Sequence, residues 1–336
     1  MISLDILIPA HNEELFIQET LISLKNVFEK ASAHFNFKYQ IYVGCNGCTD
    51  QTVALARPLV AEVFEWPAMG KWKALEKLTQ RSSADFILFV DAGAVWPNDA
   101  FQTGLWKQLN EPDSMGLALS YNPLGLGVIE KTYWSVEAFF KSLEIKLGGL
   151  VAVSGVSVFY RTQFAQAAFR FLNEKFPQTQ WLNDDVILPA TMRFLEPMKK
   201  IDLGHLQKNI LDAGLAKSAS EKSRRERMMR GNIQWMRLLI PLFFDKKFIT
   251  LNRMKVFLIL SRRILKVFWA YFVLGILAIL IYFFFEPMYI LIGGGLLALA
   301  LLYNPQTFKK IIFSLLASLR APLDLIFWSE QRSTWS

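Results

Sequence analysis

The run Phe86-Ile-Leu-Phe-Val90 carries no polar residue over five positions. It is too short for a helix and apolar on both alternating faces, so it reads as a strand covered on each side. It passes at once into Asp91, Ala92 and Gly93. A strand buried on both faces belongs to a sheet flanked by helices, and in open sheets of that kind ligands collect outside the carboxyl ends of the strands. Asp91 is therefore placed to meet a substrate, or a metal ion held by one. An Asp that caps the next turn is the structural alternative, and the rest of the chain has to decide between them.

Upstream, strand-like and helix-like segments alternate. Leu4 to Pro9 reads as a strand, Glu13 to Lys30 as a helix with Leu15, Leu21, Ile22 and Leu24 at helical spacing, and Tyr39 to Gly44 as a second strand. A helix over about 50–57, a strand over Val60 to Glu65 and a helix over Lys71 to Gln80 complete the pattern. Such alternation predicts a mainly parallel α/β sheet with helices on both faces. Three polar loops then converge on one edge: Pro9-Ala10-His11-Asn12-Glu13, Cys45-Asn46-Gly47-Cys48-Thr49-Asp50 and Asp91-Ala92-Gly93.

Those same residues resemble the nucleotide-sugar half of inverting family 2 glycosyltransferases with the GT-A fold. The matching pieces are Ile6-Leu-Ile-Pro9-Ala10-His-Asn12-Glu13-Glu14, Asn46-Gly-Cys-Thr-Asp-Gln-Thr52, Gly70-Lys71-Trp-Lys-Ala-Leu75 and the Asp91 loop. The resemblance implies a nucleotide-sugar donor, a UDP-sugar, held by Pro9, Ala10, Asn12, Glu13, Asn46, Lys71, Asp91 and Ala92. In that family an amide or carboxylate after the second strand reads uracil, a lysine lies near base and diphosphate, and a D-x-D holds a divalent ion. The implied cofactor is Mg²⁺ or Mn²⁺ on Asp91. Two positions depart from the pattern: Cys45 stands where the uracil loop usually has its first Asp, and Gly93 replaces the second acid of D-x-D.

The middle of the chain extends the resemblance. Thr132 to Gly149 reads as a helix and Leu150 to Arg161 as a strand ending in a cation. The family's acceptor subdomain has a similar small-residue turn and terminal arginine, here Ser154, Gly155 and Arg161. Asn183-Asp184-Asp185-Val-Ile-Leu-Pro189 looks like the family's E-D-x-x-L segment, which implies Asp184 and Asp185 as catalytic residues, with Asp185 the base. Inversion at an anomeric carbon needs one carboxylate to take the acceptor's hydroxyl proton. The structural alternative is a pair of acids at a helix N-terminus. Ser223 to Trp235 resembles the Q-x-x-R-W region of membrane enzymes of the family, with Arg224 for Gln, Arg227 as the diphosphate-side Arg and Met228 for the Trp of processive synthases.

Composition bears on where such an enzyme works. Hydrophobic residues make up 53% of the 336 and the net charge is +8, while the mean hydropathy of +0.26 exceeds that of ordinary soluble domains. The excess Lys and Arg cluster between Arg224 and Lys266, just before a long apolar span. That placement suits anionic headgroups on a cytoplasmic membrane face rather than a nucleic-acid groove. Residues 267–285 are uncharged and long enough to cross a ~30 Å hydrocarbon core at 1.5 Å per residue. A second run, 288–303, contains Gly293-Gly-Gly295, and 311–328 is broken by Arg320, Pro322 and Asp324. A loop at Glu286-Pro287 without cations, with Lys309 and Lys310 beyond, predicts a hairpin with both ends in the cytosol. The opening residues do not read as a signal peptide.

The expected organisation is a cytosolic GT-A domain over 1–231, an interfacial amphipathic segment over 232–263 and a membrane anchor over 264–336. The fold class is α/β followed by a transmembrane helical hairpin, in a multi-pass protein of the cell inner membrane. Its expected partners are a nucleotide-sugar, the lipid bilayer, a lipid or glycan acceptor and membrane proteins of a glycan assembly pathway, with no nucleic acid. Two rivals stay open, a polyprenyl-phosphate glycosyltransferase and an inactive family member acting as a membrane scaffold. Cys45 and Cys48 read as reduced loop thiols, since zinc usually needs four ligands. His205 follows Gly204 after a predicted strand, where some enzymes of the GT-A fold that the chain resembles have a metal-binding His.

Overall fold

The computed structural model describes residues 1–123, 128–204, 206, 209–212, 221–283 and 305–326. The described residues divide into two compact units, one holding those up to 212 together with 242–260, the other 221–241 and those from 261 onward.

The first unit runs β1 (Ser3–Ala10), α1 (Ile17–Phe35), β2 (Lys38–Asn46), α2 (Thr52–Ala56), β3 (Glu62–Trp66), α3 (Lys71–Arg81) and β4 (Phe86–Val90). It continues through β5 (Ala94–Val95), α4 (Thr103–Leu109), β6 (Ser114–Leu119), β7 (Tyr121–Pro123), α5 (Val128–Lys146) and β8 (Ser157–Arg161). Then come α6 (Thr162–Lys175), α7 (Asp184–Leu195), β9 (Lys200–Gly204) and β10 (Ile210–Asp212). Seven strands form one sheet in the order β3-β2-β1-β4-β8-β6-β9, and β5-β10-β7 form a smaller one. Four pairings in the large sheet are parallel, and β8 runs antiparallel to both β4 and β6.

All five side chains of β4 are buried, as its wholly apolar sequence requires of a central strand. One face of the sheet is closed by an aromatic cluster in which the Phe28 ring lies 5.3 Å from Trp96 and 5.4 Å from Phe101, and Phe101 lies 6.0 Å from Phe159. On the other face α3 meets α6 through Trp72 and Phe169, with ring centroids 4.6 Å apart. Each such side chain contributes about 1.5–3 kcal/mol when fully removed from water. Successive strands are added on opposite sides of β1, β2 to one side and β4 to the other. That reversal of strand order opens a crevice at the carboxyl edge.

Two boundaries differ from the sequence expectation for local reasons. The first helix begins at Ile17 rather than Glu13, because Asn12 takes a left-handed conformation (φ 56°) and the Glu13 carbonyl closes a turn with the Phe16 and Ile17 amides, both at 2.9 Å. The strand expected over 150–161 shortens to Ser157–Arg161. Its first half is a loop instead: Gly148 and Gly149 both have φ near +115° (117° and 114°), and the Leu150 and Val153 amides bond to Ile201 and Asp185 rather than to a ladder.

Residues 242–260, expected in the membrane interface, belong to the first unit. There Phe243 and Phe248 pack at 5.0 and 5.4 Å from Phe194 of α7, and the Arg253 guanidinium donates to the Phe194 carbonyl at 2.9 Å.

The second unit contains α8 (Glu221–Leu238), the C-terminal part of α10 (Leu251–Val267), which follows the short α9 (Ile240–Phe244), and α11 (Trp269–Phe283) and α12 (Pro305–Ile326). Ser318 of α12 ties itself to the end of α10 and the start of α11: its hydroxyl donates to the Val267 carbonyl at 2.6 Å and accepts from the Ala270 amide at 3.2 Å. Among the described residues no helix is long and apolar enough to cross a membrane. The expected span 288–303 and His205 lie outside the described residues.

Candidate active site

The carboxyl ends of β1 and β2 carry two interlocked loops. The Asn12 side-chain oxygen accepts from the Thr49 amide at 2.8 Å, the Glu13 amide donates to Thr52 Oγ1 at 2.8 Å, and the Glu14 amide donates to Asp50 at 3.1 Å. Pro9 and Ala10, the last residues of β1, are buried beneath them, and Cys48 Sγ donates to the Ala10 carbonyl at 3.6 Å. Cys45 and Cys48 are both free thiols. The Asn46 side chain is fully buried, and its Oδ1 accepts from the Met69 amide at 2.7 Å, which ties the segment leading into α3 onto the end of β2.

Asp91 follows β4 directly, held by its own amide donating to the Val156 carbonyl at 3.0 Å. Lys71, the first residue of α3, follows a Gly70 whose φ of 86° lets the chain turn sharply into the helix. The Lys71 ammonium lies 2.8 Å from Asp91 Oδ1 and 3.2 Å from Asp184 Oδ2. One cation thus bridges acids that are 93 positions apart in sequence. Gly155 lies against the same group: a Cβ there would stand 3.8 Å from Asp91 Oδ2, 3.8 Å from Lys71 Nζ and 3.9 Å from the Asp185 Cβ. Lys71, Asp91, Gly155, Asp184 and Asp185 line one pocket whose apolar wall includes Phe89, Val158 and Tyr160. Ser154 is nearly buried beside Gly155.

The charges explain one another. Burial alone would push the Lys71 ammonium's pKa down, but Asp184 and Asp91 outweigh it and hold the group charged well above the ordinary lysine range. Burial is also the main cause for Tyr160, with Asp184 and Asp185 adding to it, so its phenol stays protonated well beyond its usual range. Glu13 is pushed up from 4.5 to about 7 by burial first, then by Asp91, Asp50 and Cys48. A carboxyl raised in this way binds its proton more tightly folded than unfolded, so the native state loses stability as pH rises from about 4.5 to 7. Glu13→Gln is therefore expected to match the wild type in stability at pH 4 and exceed it at pH 8, by about 3 kcal/mol at about 1.4 kcal/mol per pKa unit. A pH-independent difference in thermal denaturation would refute that assignment.

Of the residues singled out in the sequence, the structure brings Lys71, Asp91, Gly155, Asp184 and Asp185 around one pocket, with Asn12, Glu13 and Ala92 in the loops at the same sheet edge. Arg161 is elsewhere. Because β8 is antiparallel, Arg161 pairs with Phe86 at the amino end of β4, where its guanidinium donates to the Ser114 and Glu111 carbonyls at 2.8 and 3.0 Å. Arg227 is exposed on α8 of the second unit. Tyr160 was not singled out, although Val158 and Tyr160, two apart on a strand, share a face by simple alternation.

Among the described residues no three or more His, Cys, Asp or Glu side chains are grouped to hold a metal ion. Gly93 cannot contribute a ligand, and its amide donates to Thr20 Oγ1 in the turn. The donor set still fits a hard divalent ion, since Mg²⁺ is commonly held by one or two carboxylates together with substrate phosphates and water. Asp91 is the carboxylate at this position.

The mainly parallel sheet, whose strand order reverses between β1 and β4, holds Lys71 and its two carboxylates at that edge, and this topology fits the GT-A fold. Residues 5–163 match the family model Glycosyl transferase family 2, a match that supports a glycosyltransferase. Among solved structures, a mannosyltransferase from Pyrobaculum calidifontis in complex with GDP-Man and Mn²⁺ aligns over 98% of this chain and 88% of its own, at 16% identity and a TM-score of 0.58. At that identity the likeness is one of fold. Glucosyl-3-phosphoglycerate synthase from Mycobacterium tuberculosis aligns more loosely, over 71% of this chain and 81% of its own, at 16% identity and a TM-score of 0.45. None of the curated proteins matches the chain.

Proposed function

We propose that this protein is a membrane-anchored inverting glycosyltransferase that moves a sugar from a nucleoside-diphosphate donor, a UDP-sugar, to a hydroxyl of a lipid or glycan acceptor. The observation that carries the reading is the Lys71 bridge, with Asp91 on one side and Asp184 on the other, and Asp185 lining the same pocket. Donor chemistry belongs to the Asp91 side and acceptor chemistry to the α7 side. Lys71 would turn its ammonium to the diphosphate oxygens and offset their charge. A divalent ion on Asp91 would neutralise the departing diphosphate. Asp185 would take the proton from the attacking hydroxyl on the face of the sugar opposite the leaving group.

The membrane part of the proposal rests on the second unit. Its helix α11 is uncharged and exposes Phe272, Leu274, Ile276, Ile279 and Tyr282, an apolar surface of the kind that meets lipid rather than water. The basic run from Arg224 to Arg230 on α8 supplies charge complementary to anionic headgroups.

Purified membranes containing the protein, given a panel of UDP- and GDP-sugars with and without polyprenyl phosphate, test the reading directly. Transfer to a glycan or lipid hydroxyl supports it, whereas transfer only to polyprenyl phosphate would make the enzyme a builder of lipid-linked donors. Asp91→Ala is expected to abolish the metal-dependent part of nucleotide binding in titration calorimetry. Retained metal-dependent affinity would place the ion elsewhere.

A further inference from the structure

Helix α7 contains a proline where a helix tolerates one least. Asp184 is its first residue and Pro189 its sixth, so Pro189 lies beyond the first turn, in which missing amides cost nothing. A residue at position 189 should donate to the carbonyl of residue 185. Proline has no amide to give, and its ring crowds the carbonyl four residues back and pushes it off the helix axis. The carbonyl so released belongs to Asp185, and it is used: the Val153 amide donates to it at 2.9 Å. Val153 is two residues before Gly155, the glycine that lies against Asp91, Lys71 and Asp185.

We infer that Pro189 is a positioning residue, which frees the Asp185 main-chain carbonyl to latch the loop Val153–Gly155 onto the residue assigned as base. The inference rests on the functional reading above for the role of Asp185, but the latch itself rests on geometry alone. The loop needs such a tie. Leu150 is anchored through its amide to the Ile201 carbonyl at 2.7 Å, and Val156 through its carbonyl to the Asp91 amide at 3.0 Å. Between those two points the Val153 bond fixes the height of the loop over the pocket. With the carbonyl bound by its own helix, the loop and the Asp185 side chain could shift independently. With the proline present, the acceptor-side acid and the glycine wall of the donor pocket move as one piece.

Pro189→Ala returns the missing amide in the residue that best favours a helix, so the variant is expected to fold. Hydrogen exchange on the full-length protein should show the Val153 amide losing protection at least tenfold. Steady-state transfer with the best donor of the UDP- and GDP-sugar panel should show kcat falling about tenfold, while the donor KM stays within about twofold and the Tm is not lowered. A purely structural role for the proline would lower the Tm and leave the exchange rate at Val153 and kcat unlinked. Unchanged protection at Val153 removes the latch, and lost protection with unchanged kcat removes its positioning role. Asp185→Asn, measured alongside, separates the two readings: full transfer in that variant would discard Asp185 as base, while the exchange result would still report on the latch.

Discussion

Replacing Asp185 by asparagine is expected to lower sugar transfer by about 10²–10⁴-fold, the span usually lost with a general base. Asparagine keeps the size of the side chain and leaves the main-chain carbonyl in place, so the bond from Val153 and the start of α7 should survive. Nucleotide binding should therefore stay within about twofold, and the loss should fall on kcat. The neighbouring acid is the natural competitor for the role, but Asp184 Oδ2 is engaged with the Lys71 ammonium at 3.2 Å. Asp184→Asn should accordingly act through Lys71 and weaken donor binding, whereas Asp185→Asn should not. Full turnover in Asp185→Asn would remove the assigned base. Nucleotide binding without turnover in the wild type would restore the scaffold reading.

Lys71→Met should strike stability and activity together. Methionine keeps the apolar stem but removes the cation shared by two carboxylates, leaving Asp91 and Asp184 facing each other. Breaking a desolvated pair by deleting one partner costs about 3–5 kcal/mol. The Asp91 side chain keeps 36% of its exposure, so water screens part of the penalty and about 2 kcal/mol is expected. The pH dependence has a definite sign. A lysine whose pKa is raised on folding contributes stability that is complete below its unfolded value near 10.4 and is lost only as pH rises through the folded one. The Tm deficit of Lys71→Met should therefore be the same at pH 6 and pH 9, unlike the Glu13→Gln difference, which opens between about 4.5 and 7. Transfer should drop by about 10²–10³-fold, the usual cost of removing one preorganised group that meets developing negative charge. A variant as stable as the wild type would mean the bridge contributes nothing to the fold.

The strands and their loops were legible because their signals are local. An apolar run of five that breaks into Asp91 needs no partner to be read as a buried strand end, and Gly70-Lys71 announces a helix start at the same edge. The fate of Arg161 was not legible. Its strand has the same residue pattern whichever way it runs, and only pairing with β4 in the antiparallel sense carries its end away from Asp91. Asn46 shows a second kind of blindness. The sequence marks a polar residue at the end of β2, but whether its amide meets solvent or closes on the Met69 backbone depends on a segment more than twenty residues later.

By itself, then, the sequence determined that a mainly parallel sheet forms, which of its ends carries the acids, and that the last third is apolar and basic in turn. These follow from periodicity and from residue chemistry acting over a few positions. Only the tertiary structure decided that Lys71 stands between Asp91 and Asp184, that Gly155 closes on them, and that the proline of α7 hands the Asp185 carbonyl to a loop 32 positions upstream. Those arrangements join segments far apart in the chain. Their distances are set by how β4, β8, α3 and α7 pack, and no local pattern encodes that packing.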